Sequence, residues 1–200
     1  RAVDALADAG WEVEEACPDL TGADQCFEDL RALFQTFNMA ALVDDERVKA
    51  TARYEIRLGL SLHADRVAGA VATEGRIRSE WDRFFVEGRF DAFLSPTTQV
   101  PPFPVGMEWV DEIDGVPLDH YTHWMRSCSR ITVTGAPSAS IPAGFTDGGL
   151  PVGVQFAGRR HGDAPLVALL AAAEEVFGTA PAPDIGALAT LDPRTLPPGP

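Results

Sequence analysis

His120 and His123 form the pattern H-x-x-H, and Cys128 follows a short way downstream. Two imidazoles three positions apart share one face of a helix, which is a geometry that can grip a metal ion. A thiolate beside an imidazole is equally the pairing of a cysteine nucleophile. Zinc needs further ligands at a short, fixed spacing. No Cys or carboxylate stands at such a spacing, so no metal site is expected, and the two histidines read as loop or surface residues. A Cys–His dyad depends on placement in space that spacing alone does not fix. Cys128 therefore reads first as a small buried hydrophobe. The glycines at 144, 148, 149 and 153 are not spaced as a phosphate-binding loop, and no lysine follows them. The pairs Glu174–Glu175 and Asp44–Asp45 read as solvated charge on helix faces. Of the 16 basic residues only Lys49 is a lysine, and it lies in the charged run Glu46-Arg47-Val48-Lys49, which places it on a water-facing helix.

The elements that would hold these residues follow from periodicity. Ala2, Val3, Leu6 and Ala9 mark the end of an amphipathic helix, closed by Gly10, and Trp11 and Val13 alternate with acids as in a short strand. Residues 24–42 read as a helix with Asp24 as N-cap and Phe27, Leu30, Leu33, Phe34, Phe37 and Ala41 on its apolar face. A charged helix over about 45–57 follows. A longer one, about 64–87, turns Val67, Val71, Trp81, Phe84 and Phe85 inward and ends at Gly88. Ala92-Phe93-Leu94 is a short apolar run, and residues 95–118 form a Pro- and Gly-rich loop. Ile131-Thr132-Val133, Ala139-Ser140-Ile141 and the alternating Val152–Phe156 read as strands. A last helix is capped by Asp163 and lined by Leu166, Leu169, Leu170, Ala173 and Phe177. Six prolines mark residues 179–200 as a tail or a strap over the surface. The class is α/β, with a helical block over about 24–88 set before a strand-rich part over about 89–178.

Composition narrows the function. A net charge of −14 repels phosphate backbones and anionic lipid heads, so neither a nucleic-acid nor a membrane-surface role is expected. Three cysteines in 200 residues, an odd and sparse count, do not form a disulfide framework and suit a reducing, cytoplasmic setting. The first residue is Arg1 and the pattern opens inside a helix, so we read the chain as a piece of something longer.

One ordered set of segments is specific. Asp91-Ala-Phe-Leu-Ser-Pro-Thr-Thr98 comes first, then Gly135-Ala-Pro-Ser-Ala-Ser-Ile-Pro-Ala-Gly144, then Gly149-Leu-Pro-Val-Gly-Val-Gln-Phe-Ala-Gly158. The opening, Leu6 through Leu20, adds a fourth piece. Together they resemble the C-terminal half of the amidase signature family, in which a "D-x-L-x-x-P-T" strand end precedes "G-x-P-x-x-S-x-P-x-G" and "G-L-P-x-G-x-Q". The resemblance runs from about residue 3 to 178. It implies part of an α/β/α sandwich with a mixed sheet and an inserted helical block, from a protein that hydrolyses carboxylic amides without a cofactor.

The resemblance also implies what this chain lacks. Family members attack the amide with a serine, activated through a second serine by a lysine that burial keeps neutral. Their serines lie in a Gly- and Ser-rich loop in the first half of the protein. This chain has no Ser-Ser pair, and its single lysine is Lys49, so no catalytic residue is expected in it. By resemblance the acyl pocket draws on Thr97 to Met107 and Tyr121 to Ile131. Trp124, Met125 and Cys128 are then the candidate substrate-binding residues, at helical spacing that suits a pocket lining or core packing. The expected partner is a small-molecule amide, bound together with the missing N-terminal half, and a homodimer is left open. An apolar surface is expected where that half would sit. Glutamine-using relatives that supply ammonia to charged transfer RNA place an acid where Met125 stands and an Asn where Thr132 stands. Met125 suits a less polar amide. A non-catalytic binding or assembly module that keeps this fold is the alternative reading.

Overall fold

The computed structural model describes residues 1–179 and Gly186. The expected tail over 179–200 lies outside the described residues except at its first position and at Gly186.

Helix α1 (Ala2–Asp8) stops where Gly10 takes φ +89°, as its position after the apolar pattern predicts. The stretch after it, Trp11 to Glu14, is not a strand. It finds no neighbouring strand to pair with among the described residues, and Trp11 instead packs into the core beside Leu6, Val154 and Phe156.

Three helices follow: α2 (Ala23–Met39), extended by a 3₁₀ turn Ala40–Leu42, then α3 (Ala50–Ser61) and α4 (Ala64–Gly88). Gly22, not Asp24, caps α2, and Asp24 sits in its first turn. The face of α2 that packs is also not the aromatic one. Ala23, Cys26, Asp29 and Ala32 are buried, while Phe34 is 66% and Phe37 79% exposed. Small side chains win this face because they let the neighbouring helices come close. Gly59 of α3 lies against the Ala32 carbonyl and the Thr36 hydroxyl, where a Cβ would stand 2.2 Å and 2.1 Å from those oxygens. Cys26 Sγ donates to the Ala70 carbonyl of α4 at 3.3 Å, and burial pushes its thiol pKa up to about 11. The two acids in this packed block are neutralised by arginine. Arg66 forks onto Asp29 at 2.9 and 2.6 Å, and Arg31 reaches Glu55 at 2.8 Å. In α4 the inward residues are Ala70, Ile77, Trp81 and Phe85, while Val71 is exposed.

The main sheet has three strands in the order β1 (Phe93–Pro96), β5 (Pro151–Ala157), β4 (Ser138–Phe145). All pairs are antiparallel, so the mixed pairing expected is not present among the described residues. The tight turn at Asp147–Gly149, with Gly149 at φ +80°, explains why β4 and β5 run opposite ways. A two-stranded ribbon, β2 (Glu112–Ile113) with β3 (Val116–Pro117), interrupts the long 95–118 loop. Ile131-Thr132-Val133 lies not in a strand but in helix α5 (Arg126–Thr134). Tertiary packing overrides the β-branched preference there. Ile131 enters the cluster of Trp81, Phe85 and Ala157, and Val133 that of Ala23, Cys26 and Ile77, which only a helix can serve at once. Gly135 ends α5 at φ +66°. Finally α6 (Asp163–Phe177) lays Leu166 and Ala173 on the sheet, with Gly162 as cap instead of Asp163.

Trp81 ties the helices to the sheet. It is fully buried among Phe84, Phe85 and Phe93, and its indole N–H donates to the Gly158 carbonyl at 3.0 Å. The α2–α3 crossing yields a direct test. Gly59→Ala forces that crossing apart, and we expect it to cost about 2–3 kcal/mol by overpacking. Thermal unfolding should fall by roughly 5–10 °C for a chain of this size. An unchanged midpoint would show that the crossing is not close-packed.

Candidate active-site groove

The sheet brings two hydroxyls together at the ends of its edge strands. Thr97 follows β1, and its N–H continues the ladder to the Gly153 carbonyl at 3.4 Å. Ser140 lies on β4, across β5. Their oxygens, Thr97 Oγ1 and Ser140 Oγ, are 2.6 Å apart. They meet over Gly153, where a Cβ would stand 2.7 Å from Ser140 Oγ and 3.0 Å from Thr97 Oγ1. The glycine in "L-P-x-G", Gly153, is thus required by close approach within its strand.

Helix α5 is fastened to the same loop at its first turn. Ser127 Oγ and Cys128 Sγ both donate to the Thr97 carbonyl, at 3.0 and 2.8 Å. The Arg126 backbone N–H donates to Gln99 Oε1 at 2.6 Å. Gln155 of β5 reaches the Ser127 carbonyl and Ser95 Oγ, each at 3.4 Å. Between loop and helix opens a groove of about 520 Å³. Its floor is Thr97, Ser140, Val152 and Gly153, and its walls are the prolines of the 96–102 loop, Phe103 and Trp124. Phe103 and Trp124 meet edge to face, centroids 5.4 Å apart. The Trp124 indole nitrogen is buried and has no hydrogen-bond partner among the described residues. Among the described residues no charged side chain lines the groove.

The three sequence candidates take different places. Trp124 lines the groove. Cys128 lies behind it, bonded to the Thr97 carbonyl. Met125 ends a 3₁₀ turn, Tyr121–Met125, partly buried and away from the lining. Residue type alone does not single out Gln99, Ser140 or Gln155, although Ser140 and Gln155 are the Ser and Gln of the motifs quoted above. Lys49 is exposed at the N-cap of α3, as its charged neighbours imply.

His120 and His123 do not meet Cys128. Both aim Nε2 at Glu28 Oε1 of α2, at 3.2 and 2.9 Å, so these histidines are not loose surface groups. A nearby ion pair joins the same elements. Arg130 of α5 forks onto Asp24 of α2 at 2.7 and 2.8 Å, with Arg126 at 3.1 Å. Burial alone raises the Asp24 pKa, but the Arg130 hydrogen bond and charge, with Arg126 and His123, hold it below the ordinary 3.8.

Residues 1–167 match the family model named Amidase. The chain belongs to the amidase family. Among curated amidase relatives, it is 39% identical over 98 residues to a glutamyl-tRNA(Gln) amidotransferase subunit of Myxococcus xanthus, a match covering 49% of this chain and 18% of the relative. It is 31% identical over 103 residues to indoleacetamide hydrolase of Rhizobium radiobacter, covering 52% of this chain and 22% of that one. The amidase chain thus aligns with about a fifth of these relatives' length. In fold it resembles a crystal structure of an amidase, with TM-score 0.75 at 23% identity over 88% of this chain and 40% of that one. A bacterial aryl acylamidase of the amidase signature family gives TM-score 0.73, over 88% and 38%.

The Asp24 pair sets an acid limit. A carboxyl whose folded pKa is depressed stabilises the fold above its unfolded value and loses that contribution as pH falls through the folded one. Asp24→Asn should therefore lower the melting temperature by roughly 2–4 °C at pH 7, the equivalent of about 1 kcal/mol. The variant and the parent should converge as pH falls through the lowered folded-state pKa of Asp24. Equal melting curves at pH 7 would mean that the fork contributes nothing.

Proposed function

We propose that this chain is the C-terminal part of a serine–lysine amidase, residues 1–178 forming one share of a single amidase domain, and that it supplies scaffold and one wall of the acyl pocket. The observation that carries this is the groove itself: hydroxyls below, aromatic and proline walls beside, and no charge in its lining among the described residues. Such a surface suits the neutral acyl part of an amide. It holds no group able to take a proton from a serine, and general-base help is what a hydroxyl nucleophile needs. Lys49, exposed at the N-cap of α3 and outside the groove lining, is not a candidate for that task. The nucleophile, relay and base belong to the N-terminal half.

The Thr97–Ser140 pair can donate one hydroxyl proton outward while the other bridges the two oxygens. The indole N–H of Trp124 is a further donor without a partner among the described residues. Met125 leaves that stretch without the acid found in glutamine-using relatives. Phe103 and Trp124 suit an aromatic or otherwise less polar acyl group, in keeping with the indole named in one relative. The exposed Phe34 and Phe37 of α2 fit a surface that the N-terminal half covers. Free Cys17, Cys26 and Cys128 accord with a cytoplasmic protein.

Two experiments test this. The purified 200-residue chain should release no ammonia from phenylacetamide or indoleacetamide, and turnover that survives contaminant controls would overturn the assignment of catalysis to the N-terminal half. In the longer protein, Ser140→Ala should lower kcat/KM on an aromatic amide about tenfold, the scale of one lost hydrogen bond. Trp124→Ala should act mainly by raising KM. Unchanged kinetics in both would remove the groove from substrate binding.

A further inference from the structure

The Glu28, His120 and His123 side chains form a compact set that the groove does not use. Their ligand atoms all lie within 4.8 Å of one another. The 3₁₀ turn makes this arrangement. In such a turn residues three apart are eclipsed, whereas an α-helix offsets them. His123 N–H bonds the His120 carbonyl at 3.0 Å, and the two rings lie tilted at 41° with centroids 4.2 Å apart. Glu28, presented by α2, closes the set.

We propose that Glu28, His120 and His123 bind a borderline divalent cation of the zinc type. Two imidazole nitrogens and one carboxylate oxygen suit Zn²⁺, Co²⁺ or Ni²⁺, whereas Mg²⁺ and Ca²⁺ prefer oxygen alone. The spacing is close to what coordination requires. Ligands about 2.0–2.1 Å from a tetrahedral zinc stand about 3.3 Å from one another. Glu28 Oε1 stands 2.9 and 3.2 Å from the two Nε2 atoms, so a few tenths of an ångström of recoil admits the ion. The three side chains are 13–20% exposed, which leaves an entry path and room for water on the open positions. Thr122 Oγ1 lies 3.0 Å from His120 Nδ1 and can accept its proton, which points Nε2 at the ion. His123 Nδ1 now accepts the Asp119 N–H at 3.3 Å, and coordination through Nε2 requires that long, weak contact to be given up. Because Trp124 follows His123 directly, an ion here would tie α2 to the wall of the groove.

The test is equilibrium dialysis of the full chain, after chelator treatment, against Zn²⁺. One equivalent bound with micromolar or tighter Kd is expected, with a rise in melting temperature of roughly 5–10 °C at a hundredfold excess over Kd. Co²⁺ should give visible absorption typical of nitrogen and oxygen ligands, with no thiolate band. Glu28→Gln and His123→Ala should each weaken Zn²⁺ at least tenfold, and His63→Ala with His161→Ala should leave it unchanged. Far-UV circular dichroism identifies any variant that fails to fold, and His120→Gln then takes its place. Kd above 100 μM, a thiolate band, or equal affinity in folded Glu28→Gln would each overturn the proposal.

Discussion

Two hydroxyls can meet across a middle strand only where that strand carries no side chain, and Gly153 is that gap. Thr97 and Ser140 belong to opposite neighbours of β5, and their contact at 2.6 Å closes the sheet's end into a floor. Once Thr97 is held there, its carbonyl is fixed in direction, and that carbonyl receives both Ser127 and Cys128 from the first turn of α5. The helix is therefore aimed by the strand end. The turn that precedes it carries Trp124 to the groove and His120 and His123 to Glu28. Filling the space above Gly153 would disturb floor, helix and wall in that order.

The helical block answers the same problem by different means. It must let α2, α3 and α4 approach closely while keeping a heavily acidic chain folded. Ala32 and Gly59 provide the approach, and arginine forks neutralise the acids that are buried with them. An unpaired buried carboxylate would cost far more than a surface one, so Asp29 and Glu55 are tolerated only because Arg66 and Arg31 reach them. The same device recurs at the junction with the groove, where Asp24 joins α2 to α5 through Arg130. Arginine, which forks and stays charged, suits every one of these places better than lysine does. That gives a structural reason for a basic complement with a single lysine.

What the sequence reveals and what it conceals follow from how each signal arises. The strands at Ala139–Ile141 and Val152–Phe156, the long α4 and the helix end at Gly10 are local facts, carried by alternation, helical periodicity or a positive φ. The buried face of α2 is not local. Apolarity alone selects Phe34 and Phe37, but the helices opposite select by size, and Ala23, Cys26 and Ala32 pack instead. Ile131–Val133 reads as strand by propensity and is helix by partnership, since two separate clusters claim its side chains. The groove is half legible: the loop from Thr97 and the residue Trp124 are named by the resemblance, while the part of Gly153 emerges only when Thr97 and Ser140 are seen on either side of it. Glu28 is invisible in the sequence as a partner of His120 and His123, because nothing in spacing links residues about ninety positions apart.

On the proposed reading, a groove uncharged among the described residues is one part of an active site divided along the chain. Acyl recognition by hydroxyls, an indole N–H and aromatic walls needs geometry but no unusual pKa. Activation of a serine needs a neutral lysine, which in turn needs burial deep enough to hold the ammonium form off at neutral pH. The two demands conflict within one small surface, because a buried cation-forming group requires surrounding polar groups of its own to manage its proton. The proposed division, with the base on one half and the acyl wall on the other, resolves the conflict. On that reading the groove described here presents a surface uncharged among the described residues, and Lys49 faces solvent at the N-cap of α3.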